Sequence, residues 1–91
     1  MKYKIVMSTR FAKDLKLLSR RGYDLSKIKF VINELANGNI LESKYKDHQL
    51  QGEYLGKREC HILPDWLLIY EMRDNELLLY LVRTGSHADL F

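Results

Sequence analysis

The chain has 91 residues, of which 46% are hydrophobic and 30% charged, a composition typical of one soluble globular domain. No apolar run approaches the ~20 residues of a membrane span, and the N-terminal residues MKYKIVMSTR lack the apolar segment of a secretory signal. The one cysteine, Cys60, excludes an internal disulfide and fits a reducing compartment. We therefore expect a single cytoplasmic domain over residues 1–91 with no membrane association.

Charge is distributed unevenly along the chain. Residues 1–46 carry 11 basic and 4 acidic side chains, a net charge of +7, whereas residues 47–91 carry 4 basic and 8 acidic ones, a net charge of −4. The asymmetry favours a basic surface that attracts nucleic acid or an acidic partner. Helices whose exposed faces simply carry many lysines would give the same charge.

The first half of the chain predicts one strand and two helices. Residues 3–8 alternate apolar and polar side chains, as a strand does. Residues 9–21 show helical spacing and are followed by Gly22, which is placed to end the helix. A second helix begins after Asp24, a good N-cap, and ends near Gly38. The apolar positions of the two helices are Phe11, Leu15, Leu18, Ile28, Val31, Ile32 and Leu35.

The second half predicts strands. After a polar connection over residues 39–47, apolar segments occupy residues 57–63, 66–72 and 76–83, and the first two are separated by a turn at Pro64 and Asp65. The last two segments are apolar almost throughout, so both faces of the sheet should be covered at its centre, one of them by the helices. The predicted fold is α+β: a strand, a two-helix hairpin and an antiparallel meander.

A metal centre is not expected. Side chains alternate along the first of these strands, so Cys60 faces one way while Glu59 and His61 face the other, and Cys60 and His61 cannot bind one ion together. The histidines, His48, His61 and His87, are spaced by 13 and 26 residues, which matches no compact zinc pattern. We predict neither a metal nor another cofactor.

The histidines suit acid–base cleavage of RNA, because the unperturbed pKa of histidine, ~6.5, lies near cellular pH. A base would take the proton of the 2′-hydroxyl, an acid would protonate the departing 5′-oxygen, and a cation would stabilise the phosphoryl charge. Arg83 has the planar fork for phosphate, and His87 lies four residues further on. Asp65 and His61 are candidates for the base and its orienting partner.

Two side chains could stack on an RNA base, Trp66 and Phe91. Trp66 stands at the head of an apolar strand, a position that equally suits a core residue. Arg83 could instead form a structural ion pair with Asp89 or Glu71, in which case it would not bind phosphate.

Together these residues resemble a known family, the YafQ branch of the RelE/ParE toxin superfamily, over essentially the whole chain. The resemblance rests on Tyr45, Lys46, Asp47, His48, Leu50, Gln51, Gly52, Arg58, His61, Pro64, Asp65, Trp66, Leu68, Ile69, Tyr70, Arg83, Thr84, Gly85, His87, Leu90 and Phe91. It implies a microbial RNase fold and a toxin of a type II toxin–antitoxin pair that enters the ribosomal A site and cuts translated mRNA.

The resemblance also implies roles for individual residues. His87 is the candidate general acid, Asp65 or His61 the candidate base, and Arg83 the phosphate clamp. The catalytic set carried over is His48, His61, Asp65, Arg83 and His87. The positions implied to contact mRNA are His48, Phe91, Trp66 and Lys46.

Partners follow from the same resemblance. We expect a small DinJ-like antitoxin with a ribbon-helix-helix dimer, through which the complex would bind operator DNA, besides the ribosome and mRNA. Two other functions remain open: a ParE-like toxin that inhibits DNA gyrase without nuclease activity, and an inactive module that only binds RNA or ribosomes.

Overall fold

A five-stranded sheet with two helices on one face forms the framework of the protein. The computed structural model describes all residues from 1 to 91. The strands are β1 (Lys4–Met7), β2 (His48–Gln49), β3 (Arg58–Leu63), β4 (Trp66–Arg73) and β5 (Leu78–Gly85), and the helices are α1 (Thr9–Arg20), α2 (Leu25–Ala36) and α3 (His87–Leu90). Short 3₁₀ turns cover Ser43–Tyr45 and Gly52–Tyr54. None of the helices has the length and apolar character needed to cross a membrane.

The strand order is β1-β5-β4-β3-β2. The predicted antiparallel meander is confirmed for β3, β4 and β5, and the α+β class with its helix pair is confirmed as well. The sheet as a whole is mixed, because β1 pairs parallel with β5. The predicted meander also lacked β2, which adds two residues antiparallel to the other edge. The pairing of β1 with β5 joins the two ends of the chain, and β2 has only two residues, so periodicity could reveal neither.

The ends of the two long helices follow from local capping. The side chain of Ser8 accepts a hydrogen bond from the backbone N–H of Phe11 at 2.9 Å and caps α1. Gly22, with φ of 82°, takes the left-handed conformation that ends this helix. The side chain of Asp24 accepts from the backbone N–H of Ser26 at 3.0 Å and caps α2, as predicted. The hairpin is therefore largely encoded by short-range chemistry.

Apolar side chains form two clusters, one on each face of the sheet. The larger contains 15 buried residues between α1, α2 and the sheet, including Phe11, Leu18 and Cys60. The smaller contains Leu67, Ile69 and Leu90 on the opposite face. The prediction that β4 is covered on both sides is confirmed. The second face is covered by the C-terminal segment instead of a long helix, and it stays partly open.

Candidate functional site

Three imidazole rings form a row on the open face of the sheet. His61 lies in β3, and its neighbour Cys60 is fully buried on the helix side, so the predicted alternation is confirmed. The ring centroid of His61 is 6.3 Å from that of His48 and 5.8 Å from that of His87. These rings come from β2, β3 and the first residue of α3. Three segments separated in sequence therefore contribute one cluster of imidazole side chains.

Glu59 lies beneath the first two rings. Its Oε1 atom is 3.5 Å from Nε2 of His48 and 3.6 Å from Nε2 of His61, and the residue is only 5% exposed. Sequence reasoning placed Glu59 on the same face as His61 but did not count it among the site residues. The spacing of two residues between Glu59 and His61 within one strand is the sequence feature that could have indicated its place in the site. One buried carboxylate therefore lies close to the Nε2 atoms of both rings.

Backbone carbonyls orient the first two rings. Nδ1 of His48 is 2.6 Å from the carbonyl oxygen of Lys46, and Nδ1 of His61 is 3.2 Å from that of Pro64. Because a carbonyl oxygen only accepts, Nδ1 must carry the hydrogen in both rings. Nε2 is therefore the nitrogen of each ring that can gain or lose a proton, and in both rings it faces Oε1 of Glu59.

Asp65 orients the third ring. Its Oδ1 atom accepts from the backbone N–H of His87 at 2.9 Å and lies 2.6 Å from Nδ1 of the same residue. These bonds, that from the backbone N–H foremost, hold the pKa of the Asp65 carboxyl below its usual range. The expected pairing of Asp65 with His61 is wrong, since the turn directs the carboxylate toward α3. A carboxylate with a lowered pKa is a weak base, which leaves His61 as the better candidate for that role.

The short helix that carries His87 is fixed at its N-terminus. Ser86 and Asp89 form a capping box, and Asp89 also accepts a hydrogen bond from Arg21 at 2.9 Å. The backbone N–H of Ser86, followed by the Arg21 guanidinium, lowers the pKa of Asp89. A β-carbon at Gly85 would lie 2.9 Å from that of Asp89, so only glycine allows this close approach.

Arg83 is held by Asp14 of α1. Its Nε and Nη2 atoms donate to the two carboxylate oxygens at 2.7 and 3.1 Å, and the backbone N–H of Thr84 donates to Oδ2 at 3.1 Å. The suggested alternative partners, Asp89 and Glu71, are therefore wrong. The Asp14 carboxylate raises the pKa of Arg83 and keeps it charged. Its Nη1 atom takes no part in this fork.

The two predicted stacking residues differ sharply in exposure. Trp66 is 1% exposed, its indole N–H donates to Oγ1 of Thr84 at 2.9 Å, and the Tyr23 ring meets it edge-on at 4.9 Å. Its predicted role as an mRNA contact is wrong, because a ring enclosed in the core offers no face to a base. Phe91 is 65% exposed and meets only the edge of Tyr54, at 5.9 Å.

The loop that carries Lys46 and His48 is tied to the sheet through the residue between them. Asp47 accepts from the hydroxyl of Tyr70 at 2.6 Å and from Nε and Nη2 of Arg58 at 3.3 and 3.1 Å. Burial, reinforced by the bond to Asp47, raises the pKa of Tyr70 well above its usual range, so the hydroxyl keeps its proton and donates. Lys46 is exposed and reaches solvent beside the site.

The remaining reactive groups lie outside this chemistry. Burial raises the pKa of the Cys60 thiol far above its usual range, which leaves it protonated and inert at neutral pH. No cluster of three or more histidine, cysteine, aspartate or glutamate side chains has a geometry that could hold a metal ion.

The α+β fold combines a mixed sheet with three histidines, a buried glutamate and an arginine held by an aspartate. These features agree with the class of small bacterial toxins that the sequence resembles. The chain belongs to the YafQ family, since the family model described as "Bacterial toxin of type II toxin-antitoxin system, YafQ" matches residues 3–91. It is 44% identical over 88 residues to the mRNA interferase toxin YafQ of Escherichia coli strain K12, covering 96% of this chain and 94% of that protein. The resemblance found in the sequence is thereby confirmed.

Solved structures agree with the fold. YafQ from E. coli strain BL21(DE3) superimposes with a TM-score of 0.92 at 42% identity, covering 98% of both chains. The toxin in the E. coli DinJ–YafQ complex superimposes with a TM-score of 0.90 at 43% identity, also covering 98% of both chains.

Proposed function

We propose that this protein is an mRNA interferase toxin, an endoribonuclease that cleaves translated mRNA in the ribosomal A site and so inhibits translation. The observation that carries the proposal is the histidine row, in which each Nδ1 atom is anchored to an oxygen atom and the Nε2 atoms of His48 and His61 face the buried Glu59 carboxylate. Its E. coli relative of 44% identity bears the name mRNA interferase toxin.

His61 is the general base in this mechanism. Its Nε2 atom removes the proton of the 2′-hydroxyl, and the 2′-oxygen attacks the adjacent phosphorus to form a 2′,3′-cyclic phosphate. Glu59 stabilises the imidazolium that results. His87 is the general acid: Nε2 donates its proton to the departing 5′-oxygen, while Asp65 holds Nδ1 and fixes the orientation of the ring. The products are the cyclic phosphate and a 5′-hydroxyl.

Arg83 supplies the positive charge that stabilises the phosphoryl oxygens. Asp14 occupies two donors of its guanidinium and fixes the plane, which leaves Nη1 for the phosphate. His48 and Lys46 position the RNA strand from the loop side, and the exposed ring of Phe91 stacks on a base from the other side.

A DinJ-type antitoxin is the proposed protein partner. The E. coli relative is seen in a DinJ–YafQ toxin–antitoxin complex. The excess positive charge of residues 1–46 suits an acidic antitoxin segment as well as ribosomal RNA. DNA binding of the complex would come from the ribbon-helix-helix antitoxin, and the complex would reside in the cytoplasm.

Primer extension on translated mRNA tests the proposal. The purified protein is added to ribosomes translating a defined mRNA, alongside the His87→Ala variant and a Lys29→Gln control on the exposed face of α2. We expect new 5′ ends at A-site codons with the unchanged protein and the control, and their loss with His87→Ala. Cleavage that persists in His87→Ala refutes the acid assignment. Intact mRNA with growth arrest and inhibited supercoiling would favour the gyrase alternative.

A further inference from the structure

A groove opens beside the histidine row and extends beyond the residues of the proposed mechanism, of which it includes His61 and Lys46. It has a volume of about 610 Å³ and runs between the first turns of α2, the 3₁₀ turn at Ser43–Tyr45 and the end of β3. This volume lies within the usual range for ligand sites, roughly 300–1,000 Å³. Its walls include Lys27, Phe30, Lys44, Tyr45, His61 and Leu63.

The groove is positively charged. Lys27, Lys44 and Lys46 line it, and no aspartate or glutamate does. None of these three ammonium groups takes part in an ion pair within the chain. Lys44 instead lies 5.2 Å from the centroid of the Tyr45 ring.

Apolar surface accompanies this charge. Phe30 is 54% exposed and Leu63 is 45% exposed, although both lie on regular elements next to the core. Free lysines alternating with an exposed aromatic ring are the combination used to bind single-stranded nucleic acid, in which the lysines neutralise phosphates and the ring stacks on a base.

The groove is continuous with the catalytic row. The His61 side chain forms part of both, and Pro64, whose carbonyl anchors that ring, lines the groove. Lys46, which lines the groove, supplies the carbonyl that orients His48. An RNA strand whose cleaved bond lies at His61 therefore enters the groove with its next one or two nucleotides.

We propose that this groove is a subsite for the nucleotide of the same mRNA strand that flanks the cleaved bond, with its base against Phe30 and its phosphate between Lys27 and Lys44. The inference rests on the proposed nuclease function and adds a determinant of RNA positioning outside the catalytic residues. RNA is favoured over an acidic peptide because the groove shares His61 with the site of cleavage.

Cross-linking locates the flanking nucleotide. An mRNA with 4-thiouridine at one position, either before or after the cleaved bond, is bound to ribosomes with the non-cleaving His87→Ala protein and irradiated. Mass spectrometry of the adducts should identify peptides that contain Phe30 or Tyr45 for one of the two positions. Adducts confined to other peptides at both positions would overturn the proposal.

Cleavage kinetics provide the second test, in the protein with an intact catalytic row. Lys27→Gln with Lys44→Gln should lower kcat/KM on programmed ribosomes by at least about tenfold, and Phe30→Ser by at least about fivefold, the usual loss for one stacked base. The matched control, Lys29→Gln with Lys4→Gln, removes two exposed lysines outside the groove and should change kcat/KM by less than about twofold. Thermal unfolding of every variant checks that it is folded.

The outcomes separate the two proposals. If the double groove variant cleaves like its control, the groove is not an RNA subsite, while the nuclease function stands. If it cleaves normally but escapes neutralisation by the cognate antitoxin, the groove binds an acidic antitoxin segment instead, and the RNA subsite is again refuted. If the unchanged protein leaves mRNA intact, the proposed function itself fails.

Discussion

Removal of the Asp14 carboxylate should destabilise the protein strongly, although the residue lies 69 positions from its partner Arg83. Asp14→Ala breaks two bonds from the guanidinium and one from the backbone N–H of Thr84. The side chains of the pair are 16% and 12% exposed, so the arginine is left charged and mostly out of water. Removing one partner of a buried pair costs about 3–5 kcal/mol, and the residual exposure here favours the lower end, about 3 kcal/mol.

That loss is large for this chain. A domain of 91 residues has a free energy of unfolding of roughly 5–14 kcal/mol, and its Tm falls by about 4–8 °C for each kcal/mol. We therefore expect the Tm of Asp14→Ala to fall by about 12–24 °C. Cleavage should also decline in the fraction that stays folded, because Arg83 is no longer fixed toward the phosphate.

Calorimetry and a double-mutant cycle check the reasoning. The exposed Glu76 supplies a control, since Glu76→Ala also removes one carboxylate and should change stability by less than about 0.5 kcal/mol. Combining Asp14→Ala with Arg83→Met removes the stranded charge, so the double variant should be much more stable than the sum of the single effects predicts. Asp14→Ala costing less than about 1 kcal/mol, or strict additivity, would refute the argument that burial makes this ion pair structural.

Three further predictions concern the site and its support. Trp66→Ala should lower the free energy of unfolding by about 3–5 kcal/mol, measured in urea, whereas Trp66→Phe should cleave mRNA at a near-normal rate per folded molecule; a selective loss of RNA binding would contradict its role in the core. Glu59→Gln should lower kcat with little change in KM and shift the pH–rate profile, because His48 and His61 lose their shared carboxylate; an unchanged profile would make Glu59 merely structural. Stability should fall on acidification below about pH 4, because the folded-state pKa of the Asp65 carboxyl is lowered. Such a group stabilises the fold above its unfolded pKa and ceases to do so as pH falls through its folded pKa. If urea titrations show the same dependence of stability on pH for Asp65→Asn as for the unchanged protein, the contribution of Asp65 is refuted.

The sequence determined much of this protein through interactions between near neighbours. Helical spacing and the caps at Ser8 and Asp24 specify the hairpin, and the alternation in β3 correctly separates Cys60 from His61. Such features can be read from sequence because residues within about four positions decide them. The motifs of the second half were sufficient to place the chain in its family.

Only the tertiary structure decided which groups meet. β1 pairs parallel with β5, at the other end of the chain. Arg83 bonds to Asp14 across 69 positions of sequence, and Asp65 bonds to His87 across 22. These contacts depend on turns whose direction no local sequence pattern records. Trp66 illustrates the same limit, because its residue type suits both a stacking platform and a core. Burial against Tyr23 settled the choice, since the free energy of enclosing an aromatic ring depends on neighbours that the fold alone brings together.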